Sequence, residues 1–244
     1  SLKSRLQTVF LTFIAVSLTV ALFLSVEKIR SGAHSSFENT VSDMNVIVGA
    51  RTGSLNLLLL SVFRIGEANA PVSWAAYEAL SARDEVAWAV PISLGDSHKG
   101  FRVLGTQPHY FDHYKYGDKQ LLPFREGNRF LAHSLEVVIG STVAESLGYT
   151  IGDHIVISHG IGQVSFDDHD AFQFEIVGII DHTGTPVDRT VHIDLEALER
   201  IHAPSTSGGH AHDDDHHDDH HEEHADHLEP DTVTAVFIGT KSPS

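Results

Sequence analysis

The sequence predicts a membrane-anchored protein of the α+β class, and two observations carry that prediction. Residues 6–26 form a run of 21 residues without a charge, which as a helix of about 1.5 Å per residue spans the roughly 30 Å hydrocarbon layer of a bilayer. Beyond this run, helix-like and strand-like patterns mix without regular strand–helix–strand repetition, as in α+β domains. With 41% apolar residues in 244, the chain can bury a sizeable core.

The apolar run has a second interpretation, a secretory signal peptide. Signal peptides usually have a shorter apolar stretch, about 7–15 residues, and a small-x-small cleavage site, which Leu24-Ser-Val-Glu does not provide. We therefore interpret residues 1–30 as a transmembrane anchor. Sparse apolar residues at four-residue spacing predict a stalk helix over about 27–41. Two basic residues near each end of the run leave its orientation open.

Residues 31–244 are predicted to form the domain outside the membrane. Apolar alternation predicts strands at residues 44–49, 86–92, 100–105, 137–140, 154–158, 172–180, 190–193 and 233–238. Helices are predicted at residues 55–65, 72–82, 141–147 and 195–201. Ser73 is the expected N-cap of the second helix.

Composition excludes several classes of function. The formal charge of −17 would repel a nucleic-acid backbone, so we expect no nucleic-acid partner. Cysteine is absent, which removes disulfides, thiolate metal sites and cysteine nucleophiles. The sequence lacks the phosphate-binding loop and the Gly-x-Ser-x-Gly nucleophile motif, and His221-Glu-Glu-His is one residue too short for a zinc-protease helix. Any ATPase must therefore be another polypeptide.

The side chains best suited to bind metal are concentrated in residues 205–230, a stretch with nine carboxylates and no Lys or Arg. Its predicted metal ligands are His210, His212, His216, His217, His220, His221, His224, His227, Asp213, Asp214, Asp215, Asp218, Asp219, Glu222, Glu223 and Asp226. Neutral imidazole suits Zn²⁺, with Ni²⁺ and Cu²⁺ as alternatives, whereas Ca²⁺ prefers oxygen ligands. Several overlapping ligand sets predict reversible, buffer-like zinc binding.

The histidine-rich segment also has explanations other than metal binding. A run with almost no apolar residues is also typical of a solvated low-complexity loop, and we expect poor order without metal. A purification tag would be terminal and would not interleave carboxylates with histidines. His109 and His113 raise the question of a second metal site, but the aromatic residues around them favour packing. The other scattered histidines are expected to be surface or hydrogen-bonded residues.

Four segments resemble one family in matching order: residues 91–97 (PISLGDS), 100–106 (GFRVLGT), 140–153 (GSTVAESLGYTIGD) and 174–189 (FEIVGIIDHTGTPVDR). They are similar to the extracytoplasmic domains of MacB/FtsX-type ABC transporter permeases. The sequence departs from the family pattern in lacking the three later transmembrane helices and in carrying the insertion at 205–230. We expect the gene to continue into those helices beside an ATPase gene.

The resemblance implies a bacterial inner-membrane permease subunit whose first helix leads to a periplasmic domain with two lobes, one porter-like α/β and one β-rich. It implies pairing with a second permease subunit and work with a separate cytoplasmic ABC ATPase, whose ATP hydrolysis is relayed through the stalks. The resemblance also implies that the domain itself is not an enzyme, and it leaves a periplasmic or lipoprotein partner open. Glycine and apolar positions in residues 140–153 are interpreted as structural.

Three functions compete at this stage. The leading hypothesis is a transport component serving zinc or a zinc-dependent process. The second is an FtsX-like signalling or scaffold permease that regulates a periplasmic partner without moving a substrate. The third, a metallo-hydrolase, needs a fixed metal site with an open position, which a flexible loop rarely provides.

Overall fold

The computed structural model describes residues 2–40, 46–51, 53–67, 70–158, 173–202 and 230–241. In the first helix, side chains are described for residues 5–32 and for Thr40. Two ends of predicted strands, Met44 and Phe172, lie outside the described residues.

Helices and strands follow one another in mixed order. The helices are α1 (Leu2–Thr40), α2 (Ser54–Ser61), α3 (Trp74–Ser81), α4 (Tyr110–His113), α5 (Ser141–Leu147) and α6 (Leu195–His202), and a 3₁₀ turn spans Pro186–Arg189. The strands are β1 (Val46–Gly49), β2 (Val72–Ser73), β3 (Val86–His98), β4 (Phe101–Thr106), β5 (Lys115–Tyr116), β6 (Gln120–Leu121), β7 (Phe124–Gly127), β8 (Glu136–Ile139), β9 (His154–Val156), β10 (Gln173–Ile180), β11 (Thr190–Asp194), β12 (Thr232–Val233) and β13 (Ala235–Thr240).

Helix α1 runs without a break through the predicted anchor and the predicted stalk as far as Thr40. Over Arg5–Gly32 it is long and apolar enough to cross a membrane, judged by length and composition. Side chains in this stretch are exposed, as expected for a helix whose apolar surface faces lipid rather than a protein core.

One mixed sheet forms the centre of the domain. Its strand order is β1-β13-β3-β4-β11-β8-β10-β7, and β9 adds to it by pairing with β10. The pairs β4/β11 and β8/β10 are parallel and the other pairs are antiparallel. The α+β class is confirmed. Strands from the earlier and the later part of the domain join in this single sheet, because β11 lies between β4 and β8.

Both faces of the sheet are covered. Neighbouring residues of β8, Val137 and Val138, belong to different buried clusters, because successive residues of a strand point to opposite faces. One face packs against α3, α5 and α6. The other packs against α2, α4 and the aromatic side chains that follow α4. Strands enclosed on both faces explain the nearly continuous apolar runs in the sequence.

The helix predicted at residues 72–82 begins later than expected. Val72 and Ser73 form β2 instead and pair with β12, so this part of the prediction was wrong because a distant strand supplies backbone partners. Ser73 is nevertheless the N-cap, as predicted: its side chain accepts a hydrogen bond from the backbone N–H of Ala76 at 3.3 Å.

Two other predicted boundaries shift for identifiable reasons. The helix predicted at residues 55–65 ends at Ser61, because Arg64 takes a left-handed φ of 61°. The Ile65 N–H then closes the turn on the Leu59 carbonyl at 2.9 Å. The strand predicted at 86–92 continues to His98 through a register shift between Leu94 and Ser97, since a bulge lets pairing resume past turn-like residues.

The end of α1 is fastened to the domain by a buried hydrogen bond, in which the Tyr114 hydroxyl donates to the Thr40 carbonyl at 3.1 Å. We expect Tyr114→Phe to lower the free energy of unfolding by about 1 kcal/mol, because a buried acceptor loses its donor. Urea denaturation of the full chain in detergent micelles, followed by tryptophan fluorescence, measures this. Tyr116→Phe is the matched control, and an equal loss in both variants would contradict the prediction.

Candidate metal centre

The sixteen metal ligands predicted from the sequence lie at positions 210–227, outside the described residues. Their assignment therefore stays a prediction. The structure does describe the two points where this part of the chain is attached. On one side α6 ends at His202, and on the other the chain resumes at Pro230, shortly before β12.

Among the residues that the structure describes, one trio of metal-ligating side chains lies close together: His133, Asp194 and Glu196. Each offers one ligand atom, and these atoms all lie within 4.8 Å of one another. His133 Nδ1 is 2.5 Å from Glu196 Oε2. The backbone N–H of His133 donates to Asp194 Oδ2 at 2.8 Å.

The fold brings this trio together from two separate parts of the chain. Asp194 is the last residue of β11, and Glu196 lies in the first turn of α6. His133 comes from the loop before β8, the strand beside β11, and takes a left-handed φ of 60°. Such a conformation is uncommon for a residue with a side chain, although histidine is among the types enriched there. The hydrogen bond from its N–H to Asp194 holds the loop in place.

The electrostatics of the trio favour a cation. Asp194 is only 3% exposed, and this burial raises the pKa of its carboxyl group. The nearby carboxylate of Glu196 also raises that pKa, while the His133 N–H bond opposes the rise. Two carboxyl groups held together repel each other when both are ionised. A metal ion between them would remove that repulsion.

The trio lies on the wall of a cavity of about 420 Å³ that is also lined by Trp74, His109 and Pro230. The cavity leaves room for water or another ligand beside the three side chains. Pro230 is the first described residue after position 229. The histidine-rich segment at 205–230 therefore ends at the wall of this cavity.

His109 and His113 follow the packing interpretation. His109 Nε2 lies 3.0 Å from the Ala89 carbonyl oxygen, and the His113 ring stacks on Trp88 with centroids 4.8 Å apart. Partial burial is the main cause that lowers the pKa of His113, and the nearby His109 lowers it further. The neighbouring aromatic side chains Tyr110, Phe111 and Tyr114 are buried, so the predicted aromatic packing is confirmed.

Most other described histidines also have partners. His98 contacts the Val156 carbonyl at 2.6 Å and the Tyr149 hydroxyl at 2.9 Å. His202 pairs with Asp96 at 3.0 Å, an interaction that raises the pKa of His202. His182 pairs with Asp188 at 3.0 Å. His159 and His169 lie outside the described residues.

A second cavity, of about 480 Å³, lies where α1 meets the domain and is lined by Thr40, Arg64, Arg102 and Arg189. Arg64 is 7% exposed, and its Nε has no hydrogen-bond partner among the described residues. Arg189 lies over the Phe101 ring at 5.2 Å. Positive charge therefore collects at the end of the stalk of an otherwise acidic protein.

Comparison with known families agrees with this architecture. The family described as the MacB-like periplasmic core domain matches residues 6–217, which is most of the chain. The chain belongs to this family. The family match includes α1 and nearly all of the central sheet, and it confirms the resemblance that the four sequence segments indicated. The MacB-like domain is thus the periplasmic domain of an ABC transporter permease of the MacB/FtsX type.

Two solved structures are similar to this MacB-like chain. One is the periplasmic region of MacB from Actinobacillus actinomycetemcomitans, with 9% identity over 81% of this chain and 74% of the other, and a TM-score of 0.45. The other is the extracellular domain of the noncanonic ABC-type transporter YknZ from Gram-positive bacteria, with 13% identity over 71% and 75% of the two chains, and a TM-score of 0.45. A search of curated proteins gave no match.

Sequence reasoning did not single out the trio within this MacB-like fold. His133 looked like one scattered histidine, and Asp194 and Glu196 looked like ordinary polar positions at a strand–helix junction. The available signal was two carboxylates two residues apart, directly after a buried strand. Nothing local indicated that a histidine 61 residues away from Asp194 would lie beside them.

Proposed function

We propose that this chain is the periplasmic portion of an inner-membrane permease subunit that works with a separate cytoplasmic ATPase in zinc-linked transport or homeostasis. The histidine-rich segment at 205–230 is its reversible metal-binding element. A second permease subunit completes the assembly. The observation that carries the zinc assignment is the combination of a MacB-like domain with eight histidines and eight carboxylates within residues 210–227.

The connection between α1 and the domain supports a relay of force. Thr40, the last residue of α1, is only 1% exposed and is held by Tyr114. Tyr114 belongs to the buried cluster that also contains Val138 of the central sheet. A movement of α1 at the membrane would therefore act on the core of the domain rather than on a loose linker. In MacB/FtsX-type families the energy comes from cytoplasmic ABC ATPases.

The chemistry of the segment supports zinc. Eight imidazoles can supply two sites of three or four nitrogens, and carboxylates can complete the coordination of each ion. The dense negative charge raises the local concentration of cations. It also favours protonated imidazole when metal is absent, so protons and metal ions compete for the same nitrogens. The segment should therefore bind metal near neutral pH and release it when the pH falls.

Calorimetry on the full chain in detergent micelles tests the metal-binding function. We expect more than one Zn²⁺ per chain at pH 7.5. The affinity should fall at pH 5.5 by about tenfold for each ligating imidazole, because a group with a reference pKa near 6.5 becomes mostly protonated over this interval. Mg²⁺ should not displace Zn²⁺, because Mg²⁺ prefers oxygen ligands and retains its waters.

The comparison variant replaces all eight segment histidines with alanine, and it should lose most of the bound zinc. His154→Ala, which removes an exposed histidine outside the segment, is the matched control and should bind as the wild type does. An eight-alanine variant that binds the same number of ions with the same affinity would show that the segment is not the site.

The proposed role in zinc-linked transport or homeostasis has a separate test. A strain lacking the gene should grow poorly when zinc is chelated and recover when zinc is restored. Complementation with the wild-type gene should restore growth under chelation, whereas complementation with the eight-alanine variant should not. Unchanged growth under chelation, together with defects in the cell envelope, would favour the FtsX-like signalling or scaffold function instead.

A further inference from the structure

We propose that His133, Asp194 and Glu196 form a second zinc site, made of folded residues and separate from the histidine-rich segment. The site differs from that segment in being built on regular structure, at the junction of β11 with α6. Its capacity to bind zinc does not rest on the proposed function of the segment.

The ligand set fits a borderline divalent ion. Zinc binds histidine nitrogen and carboxylate oxygen at about 2.0–2.2 Å, so two ligands on one ion lie roughly 3–4 Å apart. In the trio, the three ligand atoms already lie within 4.8 Å of one another. His133 and Glu196 now contact each other directly at 2.5 Å, and an ion would replace that contact.

The three ligands differ in how deeply they are buried. Asp194 is buried and held at the end of a central strand, with one carboxylate oxygen oriented by the His133 N–H. A hydrogen-bonded partner of this kind fixes a metal ligand in its binding orientation. The side chain of His133, by contrast, is 47% exposed, and that of Glu196 is 20% exposed. One buried and two more exposed ligands leave the site accessible to an ion from solvent.

The surroundings leave a fourth position open. Three protein ligands beside a cavity of about 420 Å³ resemble the arrangement of zinc sites that retain a water or an incoming ligand. Metal bound here would also join the loop of His133 to the start of α6, and so the domain would respond to zinc.

The test uses the full chain in detergent micelles with the eight segment histidines replaced by alanine, and Zn²⁺ alone as the probe. We expect this variant to retain one bound Zn²⁺ per chain. Adding His133→Ala or Glu196→Gln should weaken the remaining binding by about 100-fold or more, since even partners outside the ligand set change affinity by about 10–100-fold. His154→Ala is again the matched control and should leave the remaining ion in place.

A second readout separates binding from misfolding. Zn²⁺ should raise the unfolding temperature of the eight-alanine variant but not that of the same protein with Glu196→Gln, because only the folded trio binds. Loss of all zinc binding from the eight-alanine variant would overturn the folded site while leaving the segment's function intact. Retention of one ion that neither His133→Ala nor Glu196→Gln affects would place the ion elsewhere and also overturn it. Equal zinc binding by wild type and the eight-alanine variant would refute the metal-binding role of the segment, and its loss on adding His133→Ala or Glu196→Gln would support the trio as the site.

Discussion

Gly140→Ala should destabilise the domain by about 3 kcal/mol or more, because the added methyl group would overlap neighbouring backbone atoms. A Cβ at this position would lie 2.3 Å from the Val187 carbonyl oxygen and 2.4 Å from the Asp188 carbonyl oxygen. Both contacts are with backbone, which cannot rotate away as a flexible side chain could. Gly140 also precedes α5, and its N–H donates to the Thr190 carbonyl at 3.0 Å. A shift to relieve the clash would therefore strain β11 as well.

Urea denaturation of the full chain in micelles, followed by tryptophan fluorescence, measures this loss. Both tryptophans, Trp74 and Trp88, lie in the domain, so the signal reports unfolding of the domain rather than of α1. Gly95→Ala is the matched control, because a Cβ there meets nothing within 4 Å and the backbone is not left-handed. A change of less than 1 kcal/mol in Gly140→Ala would show that the backbone at this junction yields easily.

The second large effect is a loss of stability in mild acid caused by His192. This side chain is fully buried in β11 beside the rings of Tyr110 and Phe111. Its Nδ1 lies 3.3 Å from the Val138 carbonyl oxygen, and its Nε2 has no partner among the described residues. Burial, reinforced by the positive charge of Arg64, lowers the pKa of His192 from 6.5 to about 3. The folded protein therefore keeps this ring neutral.

The sign of the pH dependence follows from proton binding. Between pH 6.5 and about 3, the unfolded chain binds a proton on His192 and the folded chain does not, so acid favours unfolding. Above pH 6.5 the protonation of His192 does not reduce the stability of the folded protein. Below this pH, the free energy of unfolding falls by about 1.4 kcal/mol for each pH unit. At pH 5 the loss from this one residue is about 2 kcal/mol.

The measurement compares the free energy of unfolding at pH 7 and pH 5 for wild type and His192→Leu. Leucine has a similar volume and cannot be protonated, so the variant should lose about 2 kcal/mol less between the two pH values than the wild type. His154→Leu changes an exposed histidine and should retain the wild-type pH dependence. Equal pH dependence in wild type and His192→Leu would mean that the buried ring accepts a proton without unfolding the domain.

Several features could be predicted from the sequence because their causes are local. The anchor depends only on the length of the uncharged run, and α1 indeed continues from it to Thr40. Helix α5 was predicted at its observed bounds, because Gly140 and the left-handed Gly148 mark its two ends and its apolar residues have helical spacing. The four segments that indicated the family are likewise continuous stretches of chain. The metal-binding segment was predicted from composition alone.

Other features were decided only by the tertiary structure, because they depend on contacts between residues far apart in sequence. Val72 and Ser73 became a strand rather than a helix because β12 supplies their partners. The burial of His192 depends on β11 lying between β4 and β8, which its own sequence neighbourhood does not specify. His133 meets Glu196 across 63 residues of chain. Local residue patterns determine helices, strands and composition, whereas strand order determines which polar side chains share a buried space and thus where a folded metal site can form.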